Sequence, residues 1–159
     1  MPRVGITGHT NLSQDTVPLI AAALRKTLIR IDPPLVGVTC LARGADQLFA
    51  AAVLELGGRV EVVLPAIDYR DRKVDSADAP LFDELIGRAS EVRVMPFPQA
   101  DRAAYRAASE AVISGVDELL AVWDGHPDSR PGNTADAVRI ARGMGVPVKV
   151  LWPEGARRA

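Results

Sequence analysis

The chain has 159 residues, of which 48% are hydrophobic and 25% charged, and its net charge is −1, the composition of one ordinary globular domain. That balance speaks against a nucleic-acid coat or a membrane-surface protein, since both need a basic excess. A single cysteine, Cys40, rules out a disulfide framework and a cysteine-based zinc site. No apolar run approaches a membrane span, and the first residues run into a strand pattern instead of a signal peptide, which points to the cytoplasm.

Val4-Gly5-Ile6-Thr7 reads as a first strand. A helix follows over residues 15–30, where Val17, Ile20, Leu24, Leu28 and Ile31 step by three or four. Pro18 fits only its first turn, which makes Asp15 the expected N-cap. Residues 35–40 form a second strand. Ala45, Leu48, Phe49, Ala52, Val53 and Leu56 then build a helical face closed by Gly57-Gly58, and residues 60–64 form a third strand. The stretch 68–78 is dense in charge and lacks periodicity, so it reads as a solvated surface loop, with a lid as the alternative. A short helix over 81–88, a strand over 92–95 and an alanine-rich helix over 100–116 come next. A strand over 118–123, a helix over 134–144 and a strand over 146–151 follow, and the tail after Pro153 is expected to be loose.

This alternation predicts a single α/β domain over residues 1–159, a Rossmann-like three-layer α/β/α arrangement with a mainly parallel six-stranded sheet. Right-handed crossovers carry strands 1 to 3 outward, and the return lays strand 5 on the far side of strand 1, giving the order 4-3-2-1-5-6. Ligands in such sheets sit at the switch point outside the strands' carboxyl ends, here between strands 1 and 5.

Three loops reach that crevice. In the first, Gly8 lets backbone N–H groups approach an anion, although Gly8-His9-Thr10-Asn11 is equally a tight turn. His9 is a phosphate donor or general acid on one reading and a solvated loop histidine on the other. Neither a Rossmann glycine triplet nor a Walker lysine is present. In the second loop, Ala42, Arg43 and Gly44 precede a helix and suit a phosphate cradle. Asp46 has an equally simple explanation as a helix-dipole partner, and Cys40 reads as a small buried residue. In the third, Asp124 and Gly125 lead to Gly132, Asn133 and Thr134. Asp124 would accept from ribose hydroxyls, and the later residues would hold a phosphate. Asn133 also suits an N-cap, with Asp136 in a position like that of a capping box. The two histidines and scattered carboxylates have no metal-ligand spacing, so neither metal nor cofactor is expected.

Taken together, Gly5-Ile6-Thr7-Gly8-His9, Cys40-Leu41-Ala42-Arg43-Gly44-Ala45-Asp46 and Asp117-Glu118-Leu119-Leu120-Ala121-Val122-Trp123-Asp124-Gly125 resemble the SLOG superfamily. Gly132-Asn133-Thr134-Ala135-Asp136 and Gly145-Val146-Pro147-Val148 complete the set, which covers nearly the whole chain. That group contains the core of DNA-processing protein A, the Lonely Guy phosphoribohydrolases and many stand-alone bacterial proteins. The second stretch is similar to the Ser-Gly-x-Ala-x-Gly-x-Asp of the DNA-processing core. The resemblance implies a Rossmann-like sheet, a nucleotide-type ligand at these loops and a homodimer; the small face of Ala103, Ala104, Ala107, Ala108, Ala111 and Gly115 allows close helix packing, either on the sheet or partly on a second subunit.

The departures narrow what carries over. Where Lonely Guy enzymes have Pro-Gly-Gly-x-Gly-Thr-x-x-Glu, this chain has Pro131-Gly132-Asn133-Thr134-Ala135-Asp136-Ala137, with Ala137 at the glutamate's place and Asp136 one position early. The helix arginine of that family would fall near Ala108, with only Arg102 and Arg106 nearby, so the catalytic pair is not carried over. Ala108-Ser109-Glu110 replaces the arginine-rich signature of the DNA-processing core; with few aromatics, this counts against nucleic acid as a partner. The leading expectation is binding or sensing of a nucleotide-derived phosphate ligand through Gly8, His9, Thr10, Ala42, Arg43, Gly44, Asp46, Asp124, Gly125, Gly132, Asn133 and Thr134. Its rival is a nucleotide N-glycosidic hydrolase, with Asp136 or Asp124 stabilising charge on the sugar and Arg106 or Arg43 orienting the phosphate. A DNA-associated module is the third reading.

Overall fold

The computed structural model describes residues 1–127 and 133–159; Gly132, named above in the third loop, lies outside the described residues. The strands are β1 (Arg3–Gly8), β2 (Val36–Thr39), β3 (Arg59–Leu64), β4 (Glu91–Val94), β5 (Glu118–Val122) and β6 (Val148–Val150). The helices are α1 (Thr16–Leu28), α2 (Ala45–Glu55), α3 (Tyr69–Lys73), α4 (Ala79–Arg88), α5 (Arg102–Ser114) and α6 (Thr134–Gly143). All strand pairs are parallel, in the order β4-β3-β2-β1-β5-β6, as the crossover argument predicts.

Burial follows sheet position. Every residue of β2 is buried, which explains its uninterrupted apolar run. Every residue of β4 is exposed, and Glu91 and Arg93 protect that edge from pairing with another chain. Val4 and Ile6 point into the core under α1 and α2, where Ile20, Leu24, Leu28 and Phe49 are fully buried. Each such side chain contributes roughly 1.5–3 kcal/mol of transfer free energy. Gly5 faces Val112 of α5 on the other side, where α5 and α6 pack together. Among the described residues no helix is long and apolar enough to cross a membrane.

Three local expectations are corrected. Asp15 stands at the N-cap of α1 but makes no side-chain capping bond; the N–H groups of Thr16 and Val17 instead donate to the Ser13 carbonyl at 3.0 and 3.3 Å. The charged stretch 68–78 contains α3, because it is anchored on the core: Tyr69 is buried against Phe82 and Tyr105, and Val74 packs on the core as well. The tail after Pro153 is not loose. The Arg157 N–H donates to Thr16 Oγ1 (2.7 Å), the Ser13 N–H to the Arg157 carbonyl (3.0 Å) and the Ala159 N–H to the Asn11 carbonyl (2.6 Å), so the tail closes a short antiparallel bridge between Leu12 and Arg158.

Candidate functional site

A cavity of about 210 Å³ opens at the carboxyl ends of β1 and β5, the switch point of the sheet. Its geometry begins with two glycines. A Cβ on Gly8 would lie 2.4 Å from the Cβ of Ala45 and 2.8 Å from that of Val122. Gly44 has φ +86° and would put a Cβ 2.6 Å from the His9 carbonyl. Both positions therefore have to be glycine for the β1 loop to pack against the start of α2, where the Ala45 N–H donates to the His9 carbonyl at 3.3 Å.

His9 is not a solvated loop residue. It is 7% exposed, its N–H donates to the Val122 carbonyl (3.1 Å), and its ring meets Trp152 edge-on at 5.6 Å. Its Nε2 accepts from the Asp124 N–H at 3.1 Å, so the neutral ring carries its proton on Nδ1. Burial, and then the charge of Arg158, lower its pKa against the opposing pull of Asp124, which keeps the ring neutral at pH 7. Burial also acts to raise the Asp124 pKa, but the His126 N–H at 3.0 Å and the nearby His9 outweigh it and hold the carboxyl below the usual range.

The second loop is held by its own side chains. Leu41 is buried in the left-handed region at φ +60°, a conformation costing roughly 1–2 kcal/mol. Its N–H donates to Thr39 Oγ1 (2.9 Å), and the Ala42 N–H donates to Asp46 Oδ2 (3.2 Å). Asp46 is buried on the cavity wall beside Cys40. Burial, only partly offset by the Ala42 N–H, pushes its carboxyl up to about 7. Burial likewise pushes the Cys40 thiol upward, which leaves it protonated and unreactive at neutral pH.

At the third loop Asn133 caps α6, its Oδ1 accepting the Asp136 N–H at 2.8 Å. Its Nδ2 is buried without a hydrogen-bond partner among the described residues, and Thr134 stands next to it on the wall.

The structure thus brings Gly8, His9, Thr10, Asp46, Asn133 and Thr134 to one cavity. Ala42, Arg43, Gly44, Asp124 and Gly125 belong to the surrounding loops but do not line it. Arg43 lies 4.0 and 3.9 Å from the carboxylates of Asp75 and Asp78, with its side chain 55% exposed. Asp136 is buried, with Oδ1 bonded to Arg139 at 2.7 Å, and Arg106 lies in a separate groove, 3.4 Å from Glu110. Neither Asp136 nor Arg106 lines the cavity. Sequence reasoning missed Tyr105 and Ser109 of α5, which do line it, although their helical spacing of four residues was a usable signal. It also missed Arg158, which reaches the wall from the tail and had no periodic signal at all.

No family model and no curated protein matches the sequence. Solved structures do. DNA processing protein A from Streptococcus pneumoniae superposes with a TM-score of 0.70 at 19% identity, over 98% of this chain and 52% of that protein. The Helicobacter pylori DNA processing protein A, solved to describe its single-stranded DNA binding, gives 0.67 at 17% identity, over 97% of this chain and 66% of the other. TM1055, a structural genomics target, gives 0.60 at 19% identity, over 93% and 72%. The fold is the Rossmann-like α/β type that these structures share. The chain spans about half the length of the S. pneumoniae protein, and identities this low speak for fold alone.

Proposed function

We propose that this protein binds or senses a nucleotide or nucleotide-derived phosphate ligand in the cavity at the carboxyl ends of β1 and β5. The observation that carries this reading is Asn133: its Nδ2 is a buried donor with no partner among the described residues, at the start of α6 and on the wall of the switch-point cavity. An unpaired buried donor costs about 1–3 kcal/mol, and an acceptor-rich ligand removes that cost. The first-turn N–H groups of α6 and the Thr134 hydroxyl add donors of the same polarity. Asp46 does not forbid an anion, because a carboxyl with a pKa of about 7 is largely neutral whenever a phosphate sits near it.

Thermal shift with AMP, ADP-ribose, a cyclic dinucleotide and a single-stranded oligonucleotide tests the reading. A nucleotide at 100 times its Kd adds about 2.7 kcal/mol of stability, or about 5–10 °C in Tm for a chain of this size. Micromolar binding is expected, adenosine without phosphate should shift Tm less than AMP, and no base should be released. A shift by the oligonucleotide alone would move the reading to nucleic acid, the partner class of the H. pylori protein. Released base, seen by chromatography, would move it to hydrolysis, with Asp46 as the carboxyl on the described cavity wall. A cytoplasmic location and a homodimer belong to the same proposal. For the dimer, Ala104 and Ala108 are already buried within the subunit and Ala111 packs against its core, which leaves Ala103 and Ala107.

A further inference from the structure

We infer that Arg158 pairs with the phosphate of the bound ligand, so that the tail strap is itself part of the binding site; this rests on the nucleotide-phosphate reading above. Arg158 is the one lysine or arginine among the described residues of the cavity wall. The arginine that sequence favoured, Arg43, is turned towards Asp75 and Asp78. The other titratable groups there do not substitute: His9 is neutral with Nε2 already accepting, Asp46 is an acid, and Cys40, Tyr105 and His126 offer no two-donor fork.

The strap presents Arg158 from an ordered backbone. The bonds of Arg157 and Ala159 to Thr16, Ser13 and Asn11 hold its position without using the Arg158 side chain. Upstream, the Leu151 N–H donates to the Ala121 carbonyl at 2.8 Å, and Trp152 rests on His9. Of the guanidinium nitrogens of Arg158, Nε is held at hydrogen-bond distance and Nη1 only at long range. Its Nε donates to Asn11 Oδ1 at 2.9 Å, and Nη1 is 3.6 Å from Asp124 Oδ2, with the side chain 40% exposed. A single long pair at that exposure is weak. A phosphate offers two parallel charge-assisted bonds to the same fork, which are shorter and stronger. Asp124 keeps the His126 N–H when Arg158 turns to the ligand. The unpaired Nδ2 of Asn133 on the same wall calls for an acceptor too, and phosphate oxygens are acceptors only.

The test is calorimetric titration of AMP, ADP-ribose, pyrophosphate and adenosine into the full chain and three variants. Arg158→Gln retains a donor for Asn11 but no charge. Arg157→Gln removes the same charge from the neighbouring strap residue, whose guanidinium is 72% exposed. Arg130→Gln covers the arginine of the third loop, outside the described residues. The expected result is that Arg158→Gln weakens AMP and pyrophosphate binding about 10- to 100-fold, the worth of a hydrogen bond between charged groups. Adenosine binding should be unaltered, and Arg157→Gln should stay within about twofold of the wild type. AMP bound equally by the wild type and Arg158→Gln overturns this inference and leaves the nucleotide reading standing. So does an equal loss in Arg157→Gln, or a loss confined to Arg130→Gln. A wild type that binds AMP, ADP-ribose and pyrophosphate not at all overturns both.

Discussion

At the amino ends of the strands Arg3 satisfies everything around it. Its Nε donates to the Gly115 carbonyl (2.6 Å), Nη1 and Nη2 donate to the two oxygens of Glu61 (3.1 and 2.7 Å), and its N–H donates to Asp117 (2.9 Å). That bidentate clasp ties β1 to β3 across β2 and to the end of α5. At the carboxyl ends the same sheet carries Leu41 at φ +60°, Asp46 buried with no cation pairing it among the described residues, and Asn133 with an unpaired Nδ2. Strain and unmatched polar groups persist only where the surrounding structure over-determines them, and they collect where a protein does its work. The contrast between the two ends supports the proposed site on grounds that do not depend on any likeness to other proteins.

Three substitutions break or sharpen the contrast. The largest effect is expected from Gly8→Val, whose Cβ would meet Ala45 at 2.4 Å and Val122 at 2.8 Å. Overpacking against two backbone-fixed neighbours should cost more than about 3 kcal/mol, measured as a fall in the urea midpoint or loss of soluble protein. Wild-type stability would show that the loop and α2 separate easily, and the site would lose its rigid floor.

Asp46→Asn should act in the opposite direction, raising stability above neutral pH by on the order of 2 kcal/mol. The folded pKa, about 7, lies above the ordinary 3.8, so the folded state holds this proton more tightly than the unfolded one. The stabilisation it provides is complete below the unfolded pKa and is lost as pH rises through the folded one. Urea melts of the wild type across that window should show the loss, and melts of Asp46→Asn should not. Glu61 has the opposite sign: the Arg3 hydrogen bonds hold its carboxyl below its ordinary 4.5, so its contribution is present above that pH and disappears in acid.

The smallest effect belongs to Glu61→Gln, because the two side chains are 36% and 24% exposed and solvent screens the pair. A loss of about 1 kcal/mol is expected from the same melts, with AMP affinity unchanged. A change in AMP affinity would mean that the two ends of the sheet are coupled.

The alternation of apolar runs with helical faces, together with the handedness of crossovers, was enough to place all six strands in order. It also put the crevice between β1 and β5, because a chain that runs outward and returns can leave a gap only there. Which loop residues meet in that crevice was a different matter, decided by side-chain direction and long-range packing. Gly8 and Gly44 read as anion-approach glycines in sequence, yet their nearest neighbours are Ala45, Val122 and the His9 carbonyl. Arg43 is one residue from Gly44 in the chain and still points out of the cavity, drawn by Asp75 and Asp78 more than thirty residues on. Arg158 reaches the wall although it is 149 residues from His9 (158 − 9), through backbone bonds that leave no mark in residue type. Periodicity reports what each segment buries, so it determines elements and their order. The contacts that build a site join segments far apart in the chain and depend on the direction of single side chains, which only the folded structure sets.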